Sequence, residues 1–127
     1  MEIRKLIPED KDDFETVERL KAISFDELKP IVSELLTWLQ DLHWQIARSI
    51  AEILIPFVDR LIPDFIEIFK TNDSEWKYNI LILFGYTTND PIFIEEIRRI
   101  SFNPTQDEIS EEVDIEARSI LSKLEKP

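Results

Sequence analysis

Apolar residues return at helical spacing along nearly the whole chain, and short polar or proline-bearing breaks cut that pattern into segments. From Pro30 to Leu54 the chain reads as apolar helix, tight polar turn, apolar helix, and Pro63 to Leu83 repeats the form. The two turns overlay, because Asp41-Leu-His-Trp44 and Asp73-Ser-Glu-Trp76 are both D-x-x-W, thirty-two positions apart. A repeated helical hairpin buries its apolar face on its neighbour. The pattern therefore predicts an all-α protein built as a short α-solenoid, a right-handed stack of hairpins with about six to seven helices in a single domain over 1–127.

Taken in order, residues 1–9 form an extended lead in which Leu6 and Ile7 precede Pro8, a poor helix residue. Acids cluster from Glu9 to Asp13. Asp10 or Asp12 is expected to cap a helix to about Ile23, with Phe14, Val17, Leu20 and Ile23 on one side and Glu15 completing a capping box with Asp12. Ser24 to Lys29 is a connector of one helical turn, and Pro30 opens a second helix to about Leu39 whose apolar stripe is wide enough for two neighbours. Asp41 is placed to cap the third helix, with Trp44 in its first turn, and Pro56 ends that helix or kinks it.

A fourth helix runs from Pro63 to about Lys70. Thr71 to Ser74 breaks the chain, and the fifth helix, about Glu75 to Phe84, is apolar nearly all round and expected to be the most buried. Gly85 reads as its left-handed stop. Asp90 and Pro91 read as cap and first residue of a sixth helix to about Ile100, with Ile92, Phe93, Ile97 and Ile100 inward. The last helix, about Asp107 to Leu124, sets Ile109, Val113, Ala117, Ile120, Leu121 and Leu124 on one face and pairs Asp114 with Arg118 at i,i+4. It is the expected solenoid cap.

Composition narrows function more than fold. The single glycine, Gly85, cannot furnish the positive-φ positions of a Rossmann or P-loop phosphate cradle. A net charge of −12 repels nucleic acid and anionic membranes and steers a basic protein inward. Without cysteine the chain has no disulfide, thiolate nucleophile or Cys-type zinc site, which suits a reducing cytoplasm. Neither a signal peptide nor a stretch apolar enough to span a membrane is legible, so a cytoplasmic address is expected.

The pattern Asp41-x-x-Trp44-x-Ile46-Ala47-Arg48-x-x-Ala51 resembles short HEAT-like repeats, in which an acid caps the second helix and a cation follows the apolar pair. Its echo keeps Asp73, Trp76 and a cation, Lys77, but lacks the alanines, and its period is shorter than HEAT values of about forty. A longer pattern looks like a family of small bacterial proteins known only as a domain of unknown function: Leu6-Ile-Pro-x-Asp10-Lys11, then Pro30-Ile31 through Glu34-Leu-Leu-x-Trp-Leu-Gln-Asp41-x-x-Trp44, then Asp73-x-x-Trp-Lys-Tyr78. That resemblance implies a stand-alone helical domain and supplies no activity.

His43 is the only imidazole, which leaves no spare ligand for a His zinc site and no ready Ser-His-acid triad; its place in the turn suits capping. Adjacent acids such as Glu95-Glu96 and Glu111-Glu112 diverge on a helix by about 100° and form no dyad. No catalytic residue, metal or cofactor is expected. Trp38, Trp44 and Trp76 read first as core. Alternatively Asp41, His43, Trp44, Arg48, Asp73, Trp76, Lys77 and Tyr78 line a repeat-turn edge, since aromatic residues beside cations concentrate at binding hot spots. Three functions fit: a non-catalytic protein-interaction module using that edge or an acidic face, a bacterial immunity-type inhibitor of a basic toxin, and a HEAT-type enzyme scaffold. The scattered cations disfavour the last. Oligomeric state stays open, an acidic monomer and a partner buried on the second helix both fitting the pattern.

Overall fold

The computed structural model describes residues 3–124, all helix, turn and irregular connection. The chain divides into two compact units, Met1–Phe57 and Val58–Pro127. The expected hairpins, 30–54 and 63–84, fall one in each. The all-α class holds. Among the described residues there are nine α-helical segments instead of six to seven, because the Ser24 connector is itself helical and the last helix is broken.

In the first unit a 3-10 turn over Ile3–Leu6 replaces the extended lead and buries Leu6. Helix α1 spans Phe14–Leu20, shorter than expected, and its cap is Asp13, not Asp10 or Asp12. Asp13 accepts from the Thr16 amide at 3.2 Å and the Glu9 amide at 2.9 Å, while Asp10 accepts from the Asp12 amide at 2.9 Å. The acidic run is thus occupied with its own backbone. Glu15 pairs with Arg19 instead of closing a box, and Phe14 is exposed. Ser24 caps the one-turn α2, Phe25–Leu28. The expected second helix is α3, Val32–Thr37, flanked by 3-10 turns over Lys29–Ile31 and Trp38–Gln40.

Helix α4, Gln45–Leu54, follows and packs on α1. Its buried Ile46, Ala47, Ile50 and Leu54 join Val17, Leu20, Leu35 and Leu39 in the core, each large side chain contributing about 1.5 to 3 kcal/mol. Pro56 removes one helical donor, and the chain tightens to 3-10 form over Ile55–Arg60.

In the second unit α5 spans Ile62–Phe69 and α6 Ser74–Phe84. Then come α7, Pro91–Phe102, α8, Gln106–Ser110, and α9, Val113–Leu124. Helix α9 packs on both α6 and α7. Phe65 lies at the centre, with ring centroids 5.0 Å from Phe84 and 6.1 Å from Phe93. Phe93, Ile97 and Ile100 face inward as expected, but Ile92 is 65% exposed. Position 92 precedes Phe93 in the first turn of α7, and a helix that buries 93, 97 and 100 turns 92 away from that face.

Gly85 is no left-handed stop, since its φ of −62° is ordinary helix. Its smallness serves packing instead, because a Cβ there would overlap Ile120 Cδ1 of α9. The last helix breaks at Glu111 and Glu112, where Glu112 has φ 61°. In a continuous helix Ile109 would share the face of Val113 and Ala117. The break rotates α8 so that Ile109 is 48% exposed and Glu108 fully buried. A left-handed non-glycine residue costs about 1 kcal/mol. Glu112→Gly is therefore expected to raise the urea unfolding midpoint by an amount worth about 1 kcal/mol.

Candidate functional site

The two D-x-x-W corners are not alike in their backbones. Asp41 Oδ1 accepts from the His43 amide and His43 Nδ1, both at 2.9 Å, closing a turn upstream of α4. These two bonds hold its carboxyl below the usual range. Asp41 therefore does not cap α4. Trp44 occupies the cap position itself, in extended conformation and without a side-chain cap bond, so it does not lie in the first turn. It meets Trp38 edge-on with centroids 5.4 Å apart, and both indoles are half-buried. His43 stands out with its side chain 93% exposed, beside a shallow cleft lined by Lys11, Asp12, Trp44 and Gln45. Arg48, one turn along α4, is exposed.

The second corner follows the expected plan. Asp73 accepts from the Trp76 amide at 3.1 Å and caps α6. Trp76 and Tyr78 are half-buried. Lys77 departs from expectation: it is 1% exposed and offers nothing to a binding edge. Of the eight residues placed on that edge, the structure brings Asp41, His43 and Trp44 together at one corner and Asp73 and Trp76 at the other, and removes Lys77 from the surface.

Lys77 belongs to a buried charge cluster that patterning missed. Its Nζ lies 3.0 Å from Asp107 Oδ2 and 3.0 Å from Glu108 Oε2. Glu108 also accepts from Arg99 Nη1 and Nη2 at 2.9 and 2.8 Å and from the Thr105 amide at 2.9 Å. Burial pushes both carboxyls up. For Asp107, bonds from Ser74, Thr105 and Lys77 outweigh it and hold the pKa at about 2; for Glu108, Arg99 leads the same reversal. The Glu108 contacts in turn push the Arg99 guanidinium further up. A cleft lined by Lys70, Thr71, Asn72, Lys77, Glu96 and Arg99 opens beside this cluster, but buried Lys77 and half-buried Arg99 are already matched by carboxylates. The chemistry is that of a clamp tying α6 and α7 to α8. Thr105-Gln-Asp-Glu108 carries the S/T-x-x-E signature of a helix start, the one signal that points Glu108 inward.

A groove of about 440 Å³ lies between α5 and the start of α7. Ile62, Pro63, Ile66 and Ile92 line it with Asp59, Glu67 and Asp90, and among these described residues there is no cation. Asp59 accepts from the Thr88 hydroxyl, and Asp90 Oδ1 accepts from the Ile92 and Phe93 amides at 2.9 and 3.2 Å, capping α7. Glu67 pairs with Lys70 at 3.1 Å on the surface. Among the described residues no three His, Asp or Glu side chains converge as a metal ion would require, and no helix is long and apolar enough to cross a membrane.

These features define an acidic, all-α protein in which several charged side chains form caps, turns and one buried clamp. The chain belongs to the family described as domain of unknown function DUF5071, whose model matches residues 6–121. No curated protein matches the chain.

Proposed function

We propose that the chain is a non-catalytic protein-interaction module that takes a basic protein partner on the acidic face of its second unit, and that it works in the cytoplasm. One observation carries the choice of unit: Tyr86, Ile92, Phe102, Ile109, Ile115 and Leu124 are exposed there, against Phe14 alone among the large apolar side chains so described in the first. Apolar side chains left in water among acids are what a partner covers. The tryptophan corners are the weaker candidate, with their indoles half-buried and Lys77 withdrawn. The HEAT-like reading of the hairpins belongs to the same proposal. An immunity-type inhibitor that masks a basic toxin is its narrower form, favoured by the net charge of −12.

Capture from an extract of the source cells on the immobilised chain, followed by titration of the recovered protein, tests this. The expected partner is basic, and its affinity falls by about tenfold or more between low and physiological salt, as steered complexes do. Retention of nothing beyond what a charge-matched acidic control retains, or salt-insensitive binding, would overturn the reading.

A further inference from the structure

We propose that the groove between α5 and the start of α7 seats an arginine or lysine side chain of the basic protein partner. This rests on the reading of the chain as an interaction module and names the place and the residue type it recognises. A long cation has two parts, an aliphatic stem that gains by leaving water and a charged head that must stay hydrated or meet a carboxylate. The groove offers partners for both, with Ile62, Ile66 and Ile92 and also Asp59, Glu67 and Asp90 among its walls.

The exposure of Ile92 is otherwise uncompensated. At 65% it is among the most exposed apolar side chains described, directly after the Asp90-Pro91 cap. The bonds the carboxylates already make do not cancel their charge. Asp59 is engaged by the neutral hydroxyl of Thr88, and Asp90 by backbone amides. Glu67 pairs with Lys70 in an exposed contact of the kind worth about 0 to 1 kcal/mol, which an incoming guanidinium can replace. Guanidinium has the further advantage of bridging carboxylates through paired donors, so arginine is preferred to lysine.

A capped tetra-arginine peptide, titrated at low salt into the isotopically labelled full chain and followed by amide chemical shifts, tests the assignment. Shifts are expected to centre on residues 59, 62, 66, 67 and 92. Ile92→Ser and Glu67→Gln, both at exposed positions, are each expected to weaken the peptide by about fivefold, the scale of a modest contact residue. Glu18→Gln, an exposed acid of the first unit with the same loss of charge, should not. Tetra-lysine should bind at the same place and more weakly. Shifts spread over every acidic surface, or equal weakening by Glu67→Gln and Glu18→Gln, would mean a diffuse ionic atmosphere and overturn the groove. If the recovered partner still binds the Ile92→Ser and Glu67→Gln variants at full strength, the groove fails while the interaction module stands. If no partner is captured by the unaltered chain, the module itself fails.

Discussion

Glu108→Ala is expected to lower the unfolding free energy by about 3 to 5 kcal/mol, the scale found when one member of a buried ion pair is removed. Glu108 is fully buried and accepts four hydrogen bonds, from Lys77, from both terminal nitrogens of Arg99 and from the Thr105 amide. Its loss leaves the Lys77 ammonium, itself 1% exposed, with Asp107 alone. Urea unfolding followed by circular dichroism measures the effect. An unchanged midpoint would show that the clamp contributes no net stability. Acid gives a second reading of the same contacts. Asp107 and Glu108 have lowered pKa values in the fold, so their stabilisation is complete above their unfolded values near about 4 and is lost as pH falls toward the about 2 of Asp107. The urea midpoint should therefore fall over that interval in the unaltered protein, and fall less in Glu108→Ala, which has already lost part of that contribution.

Gly85→Ala is expected to destabilise by about 1 to 3 kcal/mol, the usual cost of forcing extra volume into a packed core. Backbone conformation is not the cause, because alanine accepts φ −62° readily and is the better helix former. The cost comes from two atoms that stand where the new methyl must go, the Leu81 carbonyl oxygen of α6, which is fixed backbone, and Ile120 Cδ1 of α9, which a side-chain shift can move. Ile120→Val removes that carbon. The double variant should then recover part of the loss, giving a coupling opposite in sign to the two single losses. Strict additivity of the two substitutions would rule out this contact as the reason for glycine.

The helical segments were legible because burial and the 3.6-residue period agree over α4, α5 and α7, where Ile46, Phe65 and Phe93 are all wholly buried. Periodicity failed where a charge goes inward. Glu108 is polar by type, so the pattern assigned the inward place to Ile109 and ran one helix through a break that the Thr105 cap and the Arg99 and Lys77 contacts impose. The same blindness placed Lys77 on the surface beside Trp76, though its neighbours in space, Asp107 and Glu108, lie 30 and 31 residues away. Identical letters at the two corners also concealed different bonds, because Asp41 accepts from the amide two residues on, at His43, where Asp73 accepts from the amide three residues on, at Trp76. Of the candidate sites, the corners could be read from the sequence. The acid-walled groove could not, since Asp59, Glu67 and Ile92 meet only once α5 and α7 are packed.

The enclosure of the Lys77 amine makes it a natural clock. Lysines 11, 21, 29 and 70 lie open to solvent and will react with an acylating reagent at once. Lys77 can be acylated only in molecules whose α6 and α8 have parted, so the slow appearance of label at that one position times the breathing of the second unit without any denaturant.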